Sequence, residues 1–197
     1  MSGAGVARLF VAAESPPGLR TAIDALRSEL SCRVPGARWS RAEGIHLTFK
    51  FLGGTPSERI EEIGGALAGA AAGAGPIRLT TGPPGLFESC GRPRVLWVAL
   101  EGDLEPTVRL QASIEAALEP LGFAREKRPF HPHLTLARFD PAKRTALPSG
   151  LLESVRASLA GAEFPVREIV LFESFLSPGG SRYVPRASFG LGAPGSR

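Results

Sequence analysis

Three histidines occur in the chain, and two of them open the same tripeptide, His46-Leu47-Thr48 and His133-Leu134-Thr135. The third, His131, stands two residues before the second copy. On a β-strand, residues i and i+2 share a face. Each tripeptide therefore presents an imidazole beside a hydroxyl, while the leucine between them points the other way. An imidazole titrates near ~6.5, so it serves as base or acid at neutral pH. If two such strands face each other, a neutral histidine can take a proton from an attacking water. A protonated one can give a proton to the leaving oxygen. The threonine hydroxyls can donate hydrogen bonds to the charge that develops on non-bridging oxygens. This set suits in-line displacement at a phosphodiester with no metal and no cofactor. His46, Thr48, His133 and Thr135 are the candidate catalytic residues, and the spacing leaves open which histidine is the acid.

The elements that must position these residues read as one unit used twice: strand, helix, His-x-Thr strand, helix, strand. Val6 to Ala12 is a short apolar strand. Pro16-Pro17 open a helix with Ser15 as its cap, and Leu19, Ile23, Leu26 and Leu30 fall at helical spacing. Trp39 lies on a short strand. In the run from Ile45 to Leu52, Leu47, Phe49 and Phe51 alternate with His46, Thr48 and Lys50, which assigns Lys50 to the histidine face. Lys50 is then either a phosphate contact or a solvated strand-end lysine. Thr55-Pro56-Ser57-Glu58 reads as a capping box that starts the second helix. A strand over residues 77–81 follows, then a Gly- and Pro-rich loop over 82–93 that links the halves. The second half repeats the order: a strand over 94–101, a helix from about Pro106 carrying Leu110, Ile114, Leu118 and Leu121, the strand His133–Leu136, a helix from near Pro148, and closing strands over 166–172 and 183–191. The expected fold is α/β (α+β), bilobal and duplicated, with mostly antiparallel sheets, flanking helices and a central cleft. Residues 1–192 form a single domain whose lobes meet near 82–93, and 193–197 form a loose tail.

Composition sets bounds on partners. Hydrophobic residues make up 43% of the 197, ordinary for a globular chain. The net charge is +4 and the sequence pI about 9.7. The only lysines are Lys50, Lys127 and Lys143, so arginine carries the positive charge. Arginine suits bidentate phosphate contacts and base stacking, although GC-rich coding bias explains the same enrichment. No apolar stretch approaches the ~20 residues of a membrane helix, and no secretory leader is evident, so the cytoplasm is the expected location. Cys32 and Cys90 have no metal-ligand spacing and read as ordinary thiols. The Gly-rich run from Gly64 to Gly75 lacks the Gly-Lys-Ser/Thr ending of a P-loop and reads as an Ala-rich helix.

At this point the sequence resembles the two-histidine (2H) phosphoesterases, and among them the RNA 2′,3′-cyclic phosphodiesterases also called 2′-5′ RNA ligases. The matching text runs through the chain: Arg8-Leu-Phe-Val-Ala, His46-Leu-Thr-Phe-Lys-Phe-Leu-Gly53, Pro93-Arg-Val-Leu-Trp-Val98, Arg128-Pro-Phe-His-Pro-His-Leu-Thr-Leu-Ala-Arg138, and Leu176-Ser-Pro-Gly-Gly-Ser-Arg-Tyr183. The resemblance implies metal-independent hydrolysis of RNA 2′,3′-cyclic phosphate ends to 2′-phosphomonoesters. It makes His46 the proton donor to the 3′ oxygen and His133 the acceptor from water. It also implies an ATP-independent reverse joining of a cyclic end to a 5′-hydroxyl. The partner is an RNA or oligonucleotide with a 2′,3′-cyclic end, met by a monomer away from membranes. Arg138 matches an arginine that the family uses near the phosphate, although strict alternation from His133 aims it away from the cleft.

Arg128 and Phe130, just before the second motif, are candidates to touch phosphate or base, with packing as the alternative. Tyr183 either stacks on a base or joins the core, and His131 either lines the cleft or sits at its rim. Two rival functions use the same residues. A non-catalytic nucleotide- or RNA-binding module of this fold would keep its affinity without His46 and His133. A zinc enzyme would ligate metal through His46, His131 and His133 but leave the paired threonines unexplained.

Overall fold

A computed structural model describes residues 5–142, 145–177 and 180–192, with Ser177 described in its backbone alone. The expected tail, 193–197, lies outside the described residues. The elements run β1 (Val6–Glu14), α1 (Pro17–Leu30), β2 (Ala37–Trp39), β3 (His46–Pro56), α2 (Ile60–Ala72), β4 (Ile77–Ser89) and β5 (Arg92–Gly102). There follow α3 (Leu104–Leu118), β6 (His133–Phe139), α4 (Leu151–Leu159), β7 (Glu163–Val166), β8 (Glu168–Ser177) and β9 (Gly180–Gly190). The mixed α/β architecture agrees with the expectation.

The strands form one antiparallel sheet ordered β7-β4-β5-β6-β3-β1-β8-β9, with β2 added to β6. At its centre the two motif strands meet through a single ladder pair, Leu47 opposite Leu134. Outward from that seam the order is symmetric: β1 flanks β3 as β5 flanks β6. The next strand on each side comes from the other half of the sequence. β4 follows the first motif but pairs with β5. β8 follows the second motif but pairs with β1. The third strand of each half has thus been exchanged.

The helices cover one face. α1 buries Leu19, Ile23, Leu26 and Leu30, the four positions expected from helical spacing. α2 and α3 bury Ile63, Leu67, Leu110, Ile114 and Leu118 against the same core. Leu47 and Leu134 lie at its centre, both essentially inaccessible. Burying a leucine stabilises by about 1.5–3 kcal/mol, so the residue between histidine and threonine anchors each motif strand.

Several expectations need correction. Ser15 does not cap α1, whose N-cap is Pro16 with no side-chain bond. Its buried hydroxyl donates instead to the Ile45 carbonyl at 2.8 Å, fixing the chain just before His46. Thr55 opens no capping box. β3 runs on to Pro56, a 3₁₀ turn spans Ser57–Arg59, and α2 starts at Ile60. The Ser57 hydroxyl donates to the Gly5 carbonyl instead. Residues 82–93 are not a loop but the outer part of β4, a two-residue turn and the start of β5. Cys90 and Gly91, with φ of 52° and 66°, make that turn in the left-handed region that tight hairpins favour. Pro83 is tolerated because the ladder skips a register between Thr81 and Pro84, where a missing N–H breaks no regular pair.

Candidate active site

β3 and β6 carry matching irregularities that place the cleft residues. In β3 the ladder with β1 passes from Thr48 to Lys50, leaving Phe49 as an extra residue. In β6 the ladder with β5 passes from Thr135 to Ala137, leaving Leu136 extra. A β-bulge of this kind reverses the alternation of the residues beyond it. The third residue after each histidine is therefore bulged, the fourth turns to the helix side, and the fifth returns to the histidine face.

This corrects the assignment of Lys50 and Phe51. Lys50 is buried beneath α3, paired with the Glu115 carboxylate and donating to the Ala124 carbonyl at 2.8 Å. The same carboxylate accepts from Gln111 at 3.1 Å. Phe51, expected in the core, is 67% exposed and lines the cleft. The same device brings Arg138 into the cleft despite its parity.

His46, Thr48, His133, Thr135, Arg138 and Tyr183 all line one open cleft of about 440 Å³. With Leu47 opposite Leu134, the register sets His46 opposite Thr135 and Thr48 opposite His133 on the other face of the sheet. The two imidazoles thus sit on a diagonal. Neither threonine hydroxyl has a hydrogen-bond partner in the protein among the described residues, so both are free to meet a ligand. Among the described residues no carboxylate lines this cleft, whereas Arg8 and Arg138 do. Beside apolar Phe10, Phe51 and Leu176, the polar side chains that an anion meets there are hydroxyls, imidazoles and arginines.

Each ring is tied to the backbone two residues upstream. The His133 Nδ1–H donates to the His131 carbonyl at 2.6 Å, which leaves Nε2 as the acceptor nitrogen. A hydrogen bond to the Gly44 carbonyl serves His46 in the same way. Their surroundings differ. His46 sits in an aromatic nest: Phe10 at 4.7 Å, Tyr183 edge-on at 5.1 Å and Phe172 at 6.4 Å between ring centroids. Burial there lowers its pKa to about 4, the Gly44 carbonyl opposes the shift, and Arg138 and His133 add to it. His133 stands beside Phe87 and Trp97, at 5.1 and 6.2 Å. Burial lowers its pKa as well, with Arg138 and His131 assisting and the His131 carbonyl opposing. At pH 7 both rings of the free protein are therefore predominantly neutral.

Other sequence candidates fall elsewhere. Phe130 stacks on Phe49 at 6.0 Å against the helix-side core, away from the cleft lining. Arg128 is exposed and does not line the cleft, and its backbone N–H bonds Glu126. Packing on Phe49 holds Phe130 in the core, and Arg128 stands in an exposed stretch before β6. The His131 ring is at the exposed rim, where the residue contributes its carbonyl. Among the described residues no group of three or more His, Cys, Asp or Glu is placed to hold a metal ion. None of the helices among those residues is long and apolar enough to cross a membrane.

Sequence reasoning missed Phe10 and Ser40 as cleft residues. Phe10 had a signal: Arg8 and Phe10 alternate in β1, the strand beside the first motif. Ser40 had none, because only the β2–β6 pairing brings it to the cleft.

Residues 15–174 match the 2′-5′ RNA ligase superfamily. An RNA 2′,3′-cyclic phosphodiesterase of Geobacillus stearothermophilus is 30% identical over 189 residues, which is 95% of this chain but 59% of that relative's length. A protein of the same name from Archaeoglobus fulgidus is 32% identical over 176 residues, covering 89% of this chain and 96% of the relative. The crystal structure of TT0787 of Thermus thermophilus superposes with a TM-score of 0.76 at 29% identity, covering 93% of this chain and 97% of that one. The match over most of the sequence, these relatives and the doubled motif at the sheet's central seam lead to one assignment: the chain belongs to the 2′-5′ RNA ligase superfamily of two-histidine phosphoesterases.

Proposed function

We propose that this chain hydrolyses 2′,3′-cyclic phosphate ends of RNA to 2′-phosphomonoesters, without a metal or other cofactor. The observation that carries this reading is the meeting of both His-x-Thr pairs in one carboxylate-free cleft that Arg138 also lines. His133 takes the proton of a water through Nε2, the nitrogen left free by the bond to His131. The water oxygen bonds to phosphorus while the bond to the 3′ oxygen breaks, and His46 donates the proton that the 3′ oxygen needs. Thr48, Thr135 and Arg138 hold the non-bridging oxygens as charge builds on them.

His46 must be charged to act as the acid, yet burial holds its pKa at about 4 in the free protein. The bound phosphate supplies the missing term. Its negative charge offsets Arg138 and favours the imidazolium, so substrate binding recruits the proton. With a 5′-hydroxyl in place of water, the same groups in the same roles join two ends through a 2′-5′ linkage: the 5′ oxygen bonds to phosphorus, its proton goes to His133, and the 3′ oxygen leaves with the proton of His46. We read residues 1–192 as one bilobal domain, its two halves meeting in the chain near 82–93, acting as a monomer in the cytoplasm.

The test is a short RNA ending in a 2′,3′-cyclic phosphate, incubated with purified protein and EDTA. A 2′-phosphate product is expected. A 3′-phosphate would reverse the leaving-group assignment. No reaction, with the RNA still bound, would make the protein a binding module, and activity lost with the chelator would restore the zinc alternative.

A further inference from the structure

The cleft does not end at Arg138. It continues into a second hollow of about 670 Å³ between β2, the end of α1 and the start of β9. The two hollows share Ser40, Gly44, Arg138, Leu176, Ser181 and Tyr183, so they form one channel. Arg27, Arg38, Arg41 and Arg138 line the second part, and among the described residues no carboxylate does.

Two of these arginines stand in an arrangement that is costly without a ligand. Arg38 and Arg138 are direct partners across the antiparallel β2–β6 pair. Directly opposed residues share a face, with Cβ atoms about 4.5–5.5 Å apart, and like charges there destabilise the sheet. Neither guanidinium has a carboxylate within ion-pair distance among the described residues. An anion in the channel relieves the repulsion.

Arg138 lines both hollows and on the reading above holds the reacting phosphate, which leaves Arg38, in the second hollow alone, for the next one. In a strand whose 3′ end occupies the cleft, the next phosphate along the chain is the one at the 5′ position of the terminal nucleoside. We propose that the groove under Arg38 is a second phosphate subsite, which takes the 5′-phosphate of the terminal nucleotide and makes the protein selective for a polynucleotide end over a lone cyclic nucleoside phosphate. This rests on the phosphodiesterase reading above and adds the direction in which the strand leaves.

The experiment compares kcat/KM on adenosine 2′,3′-cyclic phosphate with kcat/KM on a diadenylate ending in the same cyclic group. The diadenylate should be preferred by at least about tenfold, the scale of one charged hydrogen-bonding contact. Arg38→Ala should collapse that preference ratio. It should also flatten the salt dependence for the diadenylate by about 0.7 in log–log slope, the effect of one lost phosphate contact on a single strand. Arg8→Ala, at the far end of the cleft, should leave the ratio intact. No preference in the native protein overturns the proposal, as does equal loss on both substrates in Arg38→Ala. Collapse of the ratio by Arg8→Ala instead would send the strand out the other way and overturn it too. Arg38 is exposed, so the fold should tolerate the change, and Arg38→Gln serves if Arg38→Ala does not fold. Turnover of neither substrate would refute the enzyme reading alone. Titration would then decide the subsite: adenosine 2′,5′-bisphosphate should bind at least about tenfold tighter than adenosine 2′-phosphate, lose that margin in Arg38→Ala, and by equal binding would overturn it.

Discussion

β3 and β6 carry the same tripeptide, the same one-residue bulge and the same ring-to-backbone tie, yet they present different chemistry. Beyond the bulge, β3 sends Lys50 into the helix layer and Phe51 into the cleft, while β6 sends Ala137 and Arg138 to the corresponding places. Phe10, Phe172 and Tyr183 enclose the first imidazole, whereas Phe87 and Trp97 flank the second. Backbone geometry is what the two halves share, and side chains at fixed offsets from the histidine are what distinguish them. A symmetric frame thereby yields an asymmetric pair of imidazoles, with an arginine at the fifth position after only one of them.

The largest test of that comparison removes the rings. His46→Ala and His133→Ala should each lower kcat on a cyclic-phosphate RNA by about 10²- to 10⁴-fold, with RNA affinity largely kept. If only one of them did so, the two strands would not be an acid and a base. Next comes the fourth position after each histidine. Glu115→Ala leaves the Lys50 ammonium buried without its partner and should cost about 3–5 kcal/mol in denaturant unfolding. Replacing both partners by apolar residues should restore most of that loss, and if it did not, the pair would be more than a lock on the β3 bulge. The fifth position should show a smaller contrast. Arg138→Ala should lower kcat about 10²-fold through lost charge stabilisation, while Phe51→Ala should act on KM. A kcat loss of equal size in both would make the halves equivalent there.

The smallest effects are in pH. In the free protein, NMR titration should place His46 at about 4 and His133 below its ordinary value, and adenosine 2′-phosphate should raise both. The alkaline limb of kcat should accordingly lie above that of kcat/KM. The unfolded chain protonates His46 near ~6.5, above the folded value. Between these pH values the unfolded state holds more protons, so stability rises with pH across the window and is lost on acidification. His46→Asn should flatten that slope.

Much of this was legible in the residues. Leu19, Ile23, Leu26 and Leu30 announce α1, and the doubled His-Leu-Thr with its flanking apolar runs announces both motif strands and their meeting in one cleft. The bulges were not legible. Alternation counts residues and cannot register that one of them is skipped, so Lys50 and Phe51 exchanged faces and Arg138 looked misdirected. Arg128 and Phe130 fitted the motif text, but nearness along the chain did not bring them to the cleft. The extended course of 82–93 was hidden by its glycines and prolines. Gly85 is there because a Cβ would meet the Trp97 ring at 2.3 Å, a contact no local pattern reveals. Arg38 was equally silent, since its importance comes from a strand pairing made across the sequence.

The exchange of β4 and β8 bears on what happens if the chain is broken. A nick at the exposed Cys90–Gly91 turn would leave two fragments, neither able to complete its sheet alone, because each holds a strand the other lacks. Such pieces would stay clasped like linked hands and would have to fold in concert, so the geometry between the two imidazoles would survive cleavage of the covalent thread that first brought them together.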